Sequence, residues 1–211
     1  MAKQTFALER GGPKRLEIAW SGMFKNVQVT LDGAPIGSFE TKKQLEEGGN
    51  FALPDGSQLH VQLKRQGMAT ELQLRRNGEP LPGSASDPQQ RVATAASMLY
   101  FIAALNAALG IVAELGVEFL ARIGVGWGNV VAALIYAGLG YLVKAKQSRV
   151  ALVLAIVLFV LDGIASVFAG THAGGSPPVG GLVARIFLLI PLWSGVPALT
   201  ALNKAKAAQP A

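Results

Sequence analysis

Four apolar stretches decide the fold of this chain: VATAASMLYFIAALNAALGIVA at 92–113, IGVGWGNVVAALIYAGLGYLV at 123–143, VALVLAIVLFVLDGIASVFAG at 150–170 and PVGGLVARIFLLIPLWSGVPALTALN at 178–203. Each holds about twenty residues, the length a helix needs to cross a bilayer core. The first two carry no charge, the third only Asp162 and the fourth only Arg185. The pattern predicts an α+β membrane protein, with a small antiparallel β-sandwich or barrel followed by a four-helix transmembrane bundle. The expected spans are about 92–114, 124–143, 150–170 and 179–203. They follow an all-β domain at 1–82 and a linker at 83–91, and precede a tail at 204–211.

The charges divide along the same line. Residues 1–91 hold 12 Lys/Arg and 10 Asp/Glu, whereas residues 92–211 hold 7 and 3. The surplus of base therefore belongs to the membrane half, where it reports orientation. In a soluble chain a pI near 9.8 suggests nucleic acid; here the topology reading takes its place, and no nucleic-acid partner is expected. Arg91, Lys144, Lys146, Arg149, Lys204 and Lys206 fall at one set of span ends. The opposite loops carry only Arg122, offset by Glu118. Both termini are thus expected on the cytoplasmic face of the plasma (inner) membrane. Trp127 and Tyr141, at the two ends of the second span, suit interfacial anchors. There is no cysteine, which removes disulfides and thiolate chemistry. MAKQTFALER lacks an apolar signal core, so nothing is expected to mark the first domain for export.

That first domain alternates with period two. RLEIAW at 15–20, VQVTL at 27–31, LHVQL at 59–63 and ELQL at 71–74 each present one apolar face, the signature of half-buried strands. Asp32-Gly33, Asp55-Gly56 and Asn77-Gly78 are hairpin-turn dipeptides, and ERGGPKR at 9–15 is a further turn candidate. LDGAPIGS at 31–38 and RNGEPLPGS at 76–84 share context. This suggests one hairpin unit used three times, within six to eight short strands. Phe6, Leu8, Trp20, Phe24, Phe39 and Phe51 are the expected core contributors.

Polar residues at membrane depth are the candidate functional groups. Asp162 shares a helical face with Ala151, Ala155, Leu158, Ser166 and Ala169, opposite a bulky Val153, Ile156, Val157, Val160, Ile164 and Phe168 face. It is expected to face protein through that small-residue seam. Counting at about 1.5 Å per residue puts Asp162 and Arg185 at similar depths, so an ion pair is expected. Asn106 is placed to hydrogen-bond across helices. Glu114 and Glu118 lie one turn apart near a span end, as solvated helix ends or a cation-attracting rim. Gly124 and Gly128 are read as helix-packing positions, with Ala155 and Ser166, and Pro191 and Pro197 as kinks. His60 and His172 lack ligand-spaced partners. No phosphate loop or nucleophile elbow is present, so neither a cofactor nor catalysis is expected.

FALPDGSQLHVQL at 51–63, LRRNGEPLPGSASDP at 74–88 and the apolar run after Arg91 resemble a loose set of uncharacterised bacterial membrane proteins, with a short β domain ahead of four spans. VTLDGAPIGSF at 29–39 is similar in strand-turn texture to the β-sandwich of the Fas apoptotic inhibitory molecule family. Neither resemblance supplies a functional residue, and likeness of fold alone does not imply function. The composition suits a non-catalytic interaction protein, partnered by the bilayer and by copies of itself or another membrane protein. The alternative is an oligomeric ion channel or small transporter using the polar residues in the spans. A membrane enzyme acting on lipid comes third, for want of a catalytic pair.

Overall fold

The computed structural model describes residues 1–66, 69–116, 125–172 and 179–208. The chain divides into two compact units, 1–90 and 91–211. Unit one holds eight strands in two antiparallel meanders. The first sheet runs β1 (Ala2–Ala7), β2 (Lys14–Ser21), β3 (Lys25–Leu31) and β4 (Ala34–Phe39). The second runs β5 (Gly49–Ala52), β6 (Gln58–Gln66), β7 (Ala69–Arg76) and β8 (Glu79–Pro80). Between them lies α1 (Lys42–Glu47).

The alternating strands place one apolar face of each sheet in a shared core. Leu16, Ile18, Val27 and Val29 from the first sheet and Leu59, Val61 and Leu74 from the second are fully enclosed. Ile18 sits opposite Val29 and Val61 opposite Leu74 in the ladders, the cross-strand pairing that stabilises sheets. Phe6 and Phe39 join this core, while Leu8, Trp20, Phe24 and Phe51 pack half-buried against it. Aliphatic residues thus fill the centre and most of the aromatics form its rim. Each fully buried aliphatic side chain contributes about 1.5–3 kcal/mol of transfer free energy.

The three turn dipeptides all join antiparallel neighbours. Asp32-Gly33 and Asn77-Gly78 have positive φ at both residues, as type I′ hairpins require. Asp55-Gly56 turns differently: Asp55 Oδ1 accepts from Ser57 N at 2.9 Å and from Ser57 Oγ at 2.5 Å. The two segments with shared context occupy the last hairpin of each meander. The repeat is therefore one four-stranded sheet used twice, rather than one hairpin used three times. Helix α1 is an addition to the all-β reading. Thr41 and Gln44 form a capping box at its start, and Leu45 enters the core fully buried. The Thr-x-x-Gln spacing was the available signal.

Among the described residues, unit two holds four helices long and apolar enough to cross a membrane, which makes the chain an integral membrane protein by length and composition. They are α2 (Pro88–Glu114), α3 (Trp127–Lys146), α4 (Arg149–His172) and α5 (Val179–Ala207). Helix α2 starts four residues before the expected span, inside the stretch read as a linker. Pro88 takes the first helical position, which suits its fixed φ, and Asp87 caps it by accepting from Gln89 N at 3.0 Å. The rest of PLPGSASDP is also tied down. Asp87 Oδ2 accepts from Gly83 N at 2.9 Å, Ser84 Oγ donates to Leu81 O at 2.7 Å, and Ser86 Oγ donates to Leu74 O at 2.8 Å. Polar composition alone does not distinguish a flexible linker from a turn whose hydroxyls satisfy the backbone.

The helical core has a clear distribution. Its buried members are Val92 to Ala103 on α2, Tyr136 to Val143 on α3, Ala151 to Phe159 on α4 and Leu192 to Leu199 on α5. All lie in the half nearest the α3–α4 turn, here the proximal half. Gly195 brings three helices together there: a Cβ on it would sit 2.8 Å from Ala95 Cβ and 2.9 Å from Leu152 Cδ2. The outward face of α4 is apolar and exposed at Val153, Val157, Val160, Ile164 and Phe168.

Candidate functional site

Asn106, Glu114, Asn129, Asp162 and Arg185 lie in the distal half and tie neighbouring helices in pairs. On α2 and α3, Asn129 Nδ2 donates to Asn106 Oδ1 at 3.1 Å. Asn106 Nδ2 donates back to Ile102 O at 2.9 Å, and Gly126 N donates to Asn129 Oδ1 at 3.3 Å. About two turns further along α2, Glu114 Oε1 accepts from Trp127 N at 3.2 Å. Glu114 thus satisfies a free amide at the start of α3, a position where helix polarity favours a carboxylate. The two helices approach closely at Gly110, where a Cβ would lie 2.8 Å from Val130 Cγ2 and 2.9 Å from Gly126 O.

On α4 and α5, Arg185 Nη2 donates to Asp162 Oδ2 at 2.8 Å. The expected ion pair therefore forms. Gly163 makes it possible: a Cβ there would sit 3.1 Å from Arg185 Nη1 and 3.5 Å from its Cδ. The arginine stem passes over a helix surface with no side chain. Arg185 also lies 6.0 Å from the Phe159 ring centroid, and Phe159 meets Tyr136 of α3 edge-on at 6.2 Å. Ser166 Oγ bonds its own helix at Asp162 O, 2.7 Å away. A groove of about 270 Å³ runs beside the pair, lined by Phe159, Ile164, Phe168, Leu182, Ile186 and the Arg185 stem.

Three expectations need correction or relocation. Asp162 lies on the face that carries buried Ala155, yet its own side chain is 59% exposed; the neighbouring helices do not close over it as the wheel implied. Ile156, assigned to the outward face, is instead buried. Gly128 is not a packing glycine, since a Cβ there meets nothing within 4 Å. Gly110, Gly163 and Gly195 carry that role, each because a side chain or carbonyl of a facing helix crosses it. Glu118 and Gly124 lie outside the described residues. Pro191 and Pro197 both sit inside α5, where each removes a backbone donor from the i−4 carbonyl; Ser194 Oγ donates to Pro191 O at 2.8 Å. Trp127 and Tyr141 are exposed at the two ends of α3, as interfacial anchors are, and Trp193 on α5 is exposed too.

The β domain has its own polar cleft at its loop tips, about 580 Å³ and lined by Glu9, Arg10, Arg76, Asn77, Glu79 and Pro82, among others. Arg76 is its fixed wall. It donates to Asp55 Oδ2 at 2.5 Å, Ser57 Oγ at 2.9 Å and Glu9 Oε1 at 3.2 Å, joining the ends of both sheets. Asp55 is held below the usual carboxylate range, first by its bonds from Ser57 and then by Arg76. Arg10 reaches Asp87 Oδ1 at 3.4 Å and bonds Gln89. His60 sits on β6 with Nδ1 2.8 Å from Asn50 Oδ1. Among the described residues no three His, Asp or Glu gather as a metal site would require. No family model, curated protein or solved structure matches the chain.

Proposed function

We propose that this chain is a non-catalytic assembly protein of the plasma (inner) membrane. Four spans anchor it with both termini cytoplasmic, and the β domain docks a partner protein or a second copy of itself. The observation that carries this reading is the polar cleft at the β-domain loop tips. Its rear wall is a tied arginine, and Glu9 at its rim, though paired with Arg76, keeps its side chain 77% exposed. Rigid loop tips with open charges suit protein recognition. The spans support the same reading, because Asn106 with Asn129, Glu114 with Trp127 N and Asp162 with Arg185 tie neighbouring helices, as a scaffold requires. The orientation follows from Lys144, Lys146, Arg149, Lys204 and Lys206, all at proximal helix ends.

Site-specific photo-crosslinking in native membranes tests this. A crosslinker at Glu79, in the cleft, should give one defined adduct with a second polypeptide. A crosslinker at Met23, an exposed residue in another loop, should not. Absence of an adduct from Glu79 contradicts the proposal. The exposure of Asp162 favours a second reading, an oligomeric channel or small transporter. Ion flux above background in liposomes, reduced by Asp162→Asn, would select it.

A further inference from the structure

Only Gln147 and Ser148 separate α3 from α4. Lys144 and Lys146 close the last turn of α3, and Arg149 is the first residue of α4. Lys204 and Lys206 close α5 in the same proximal half. All five side chains are exposed, and among the described residues none makes an ion pair. No acid of the helical domain lies near them. Residues 92–211 hold three, of which Glu114 and Asp162 are distal and Glu118 follows Glu114 in sequence. The four lysines sit at helix C-termini, where backbone polarity favours a cation. Arg149 sits at an N-terminus, where polarity opposes one, and the first turn of α4 holds no acid. A third base placed there, beside two lysines, is a cost that an anion removes.

The surroundings indicate which anion. A two-residue link cannot carry its bases away from the span ends, so they stay at headgroup level. Tyr141, exposed on α3 one turn distal to Lys144, suits the same interface. Distal to Arg149, the exposed side chains of Val150, Val153 and Val157 form an apolar track along one face of α4. We infer that the α3–α4 turn is a docking site for an acidic phospholipid. Lys144, Lys146 and Arg149 hold its phosphate, and one acyl chain lies along Val150, Val153 and Val157. A soluble anion would use the bases alone, whereas a lipid uses both features. Lys204 and Lys206 add to the proximal field. The inference rests on the spans and holds whether or not the β domain takes a partner.

The complete chain, purified in a mild nonionic detergent, is titrated with phosphatidylglycerol or with phosphatidylcholine of identical chains, and bound lipid is counted by native mass spectrometry. A base near an acidic surface is worth about fivefold in affinity. Phosphatidylglycerol should therefore be preferred by at least about tenfold, and added salt should shrink the preference. Lys144→Gln, Lys146→Gln and Arg149→Gln together should remove it. Lys25→Gln, Lys43→Gln and Lys64→Gln, the same change of charge at exposed β-domain residues, should leave it intact. Lys144→Arg, Lys146→Arg and Arg149→Lys together should retain it. The salt titration uses the unsubstituted chain, so it decides the matter even if a variant fails to fold. Equal binding of the two lipids overturns the inference. So does a preference that survives the glutamine replacements, that the β-domain replacements remove as fully, or that salt leaves unchanged. Displacement of the lipid by glycerophosphate, a headgroup without chains, would assign the bases to a soluble anion and overturn it too. None of these results bears on an adduct from Glu79, so the two proposals fail separately.

Discussion

Asp87→Ala is the sharpest probe of how the chain passes from strand to first span. The Asp87 side chain is 6% exposed and accepts from Gln89 N, Gly83 N and Arg10. Removing a helix cap costs about 0.5–2 kcal/mol. Losing the bond from Gly83 N adds about 0.5–1.5 kcal/mol. The sum is about 1–3.5 kcal/mol, and at 1.4 kcal/mol per decade that is roughly a 5- to 300-fold change in a local equilibrium. The assay is amide hydrogen exchange on the complete chain in nanodiscs. Exchange at Gln89, Gln90 and Arg91 should accelerate by that factor, while Leu99 and Ile102, a few turns further into α2, stay protected. Asp87→Asn should behave nearly as wild type at Gln89, because asparagine caps as well as aspartate. If Asp87→Ala leaves these amides within twofold of wild type, the segment at 83–91 is a linker after all.

Three further outcomes follow. Gly37→Val should destabilise the β domain by about 1–3 kcal/mol, because a side chain there overlaps the Phe51 ring; Phe51→Ala should relieve much of that cost in a double-mutant thermal melt. Asp162→Ala should lower thermal stability in detergent more than the double replacement Asp162→Ala with Arg185→Leu, since the single change strands a guanidinium; equal losses would show that the pair carries no mutual stabilisation. Acid should weaken the β domain: the Asp55 carboxyl is held below its ordinary value by Ser57 and Arg76. Its contribution is complete above the unfolded carboxylate pKa of about 3.9 and is lost as pH falls through the folded value. A melting series from pH 7 to 2 should bend downward below about pH 4, and Asp55→Asn should bend less.

The large divisions of this fold were legible because each rests on composition over many residues. Twenty apolar residues without charge admit few structures besides a span, and period-two strands separated by Asp-Gly and Asn-Gly admit few besides hairpins. The Asp162–Arg185 pair was legible for a related reason, since helical rise converts sequence position into depth. What escaped was decided by single contacts. Gly163 matters because the Arg185 stem crosses it, and no periodicity announces that crossing. Gly128 looked equivalent to Gly110 in sequence, but only Gly110 has a facing backbone carbonyl. Asp162 was expected to face protein, yet its side chain is 59% exposed, because a wheel describes one helix and cannot show how far its neighbours cover it. Arg76 was passed over because its partners lie at 8–9 and 55–57, far apart in sequence and joined only by the packing of the two sheets.

The central claim is that this chain works by associating through its β domain while the spans hold it in the membrane. The mass of the complete chain, purified in a mild detergent and transferred to nanodiscs, tests that most directly. The account predicts a closed assembly of more than one copy, or a defined complex with a second protein, reduced to a single chain when residues 1–82 are deleted. A monomer of 22.0 kDa with no bound protein, unchanged by that deletion, would contradict it.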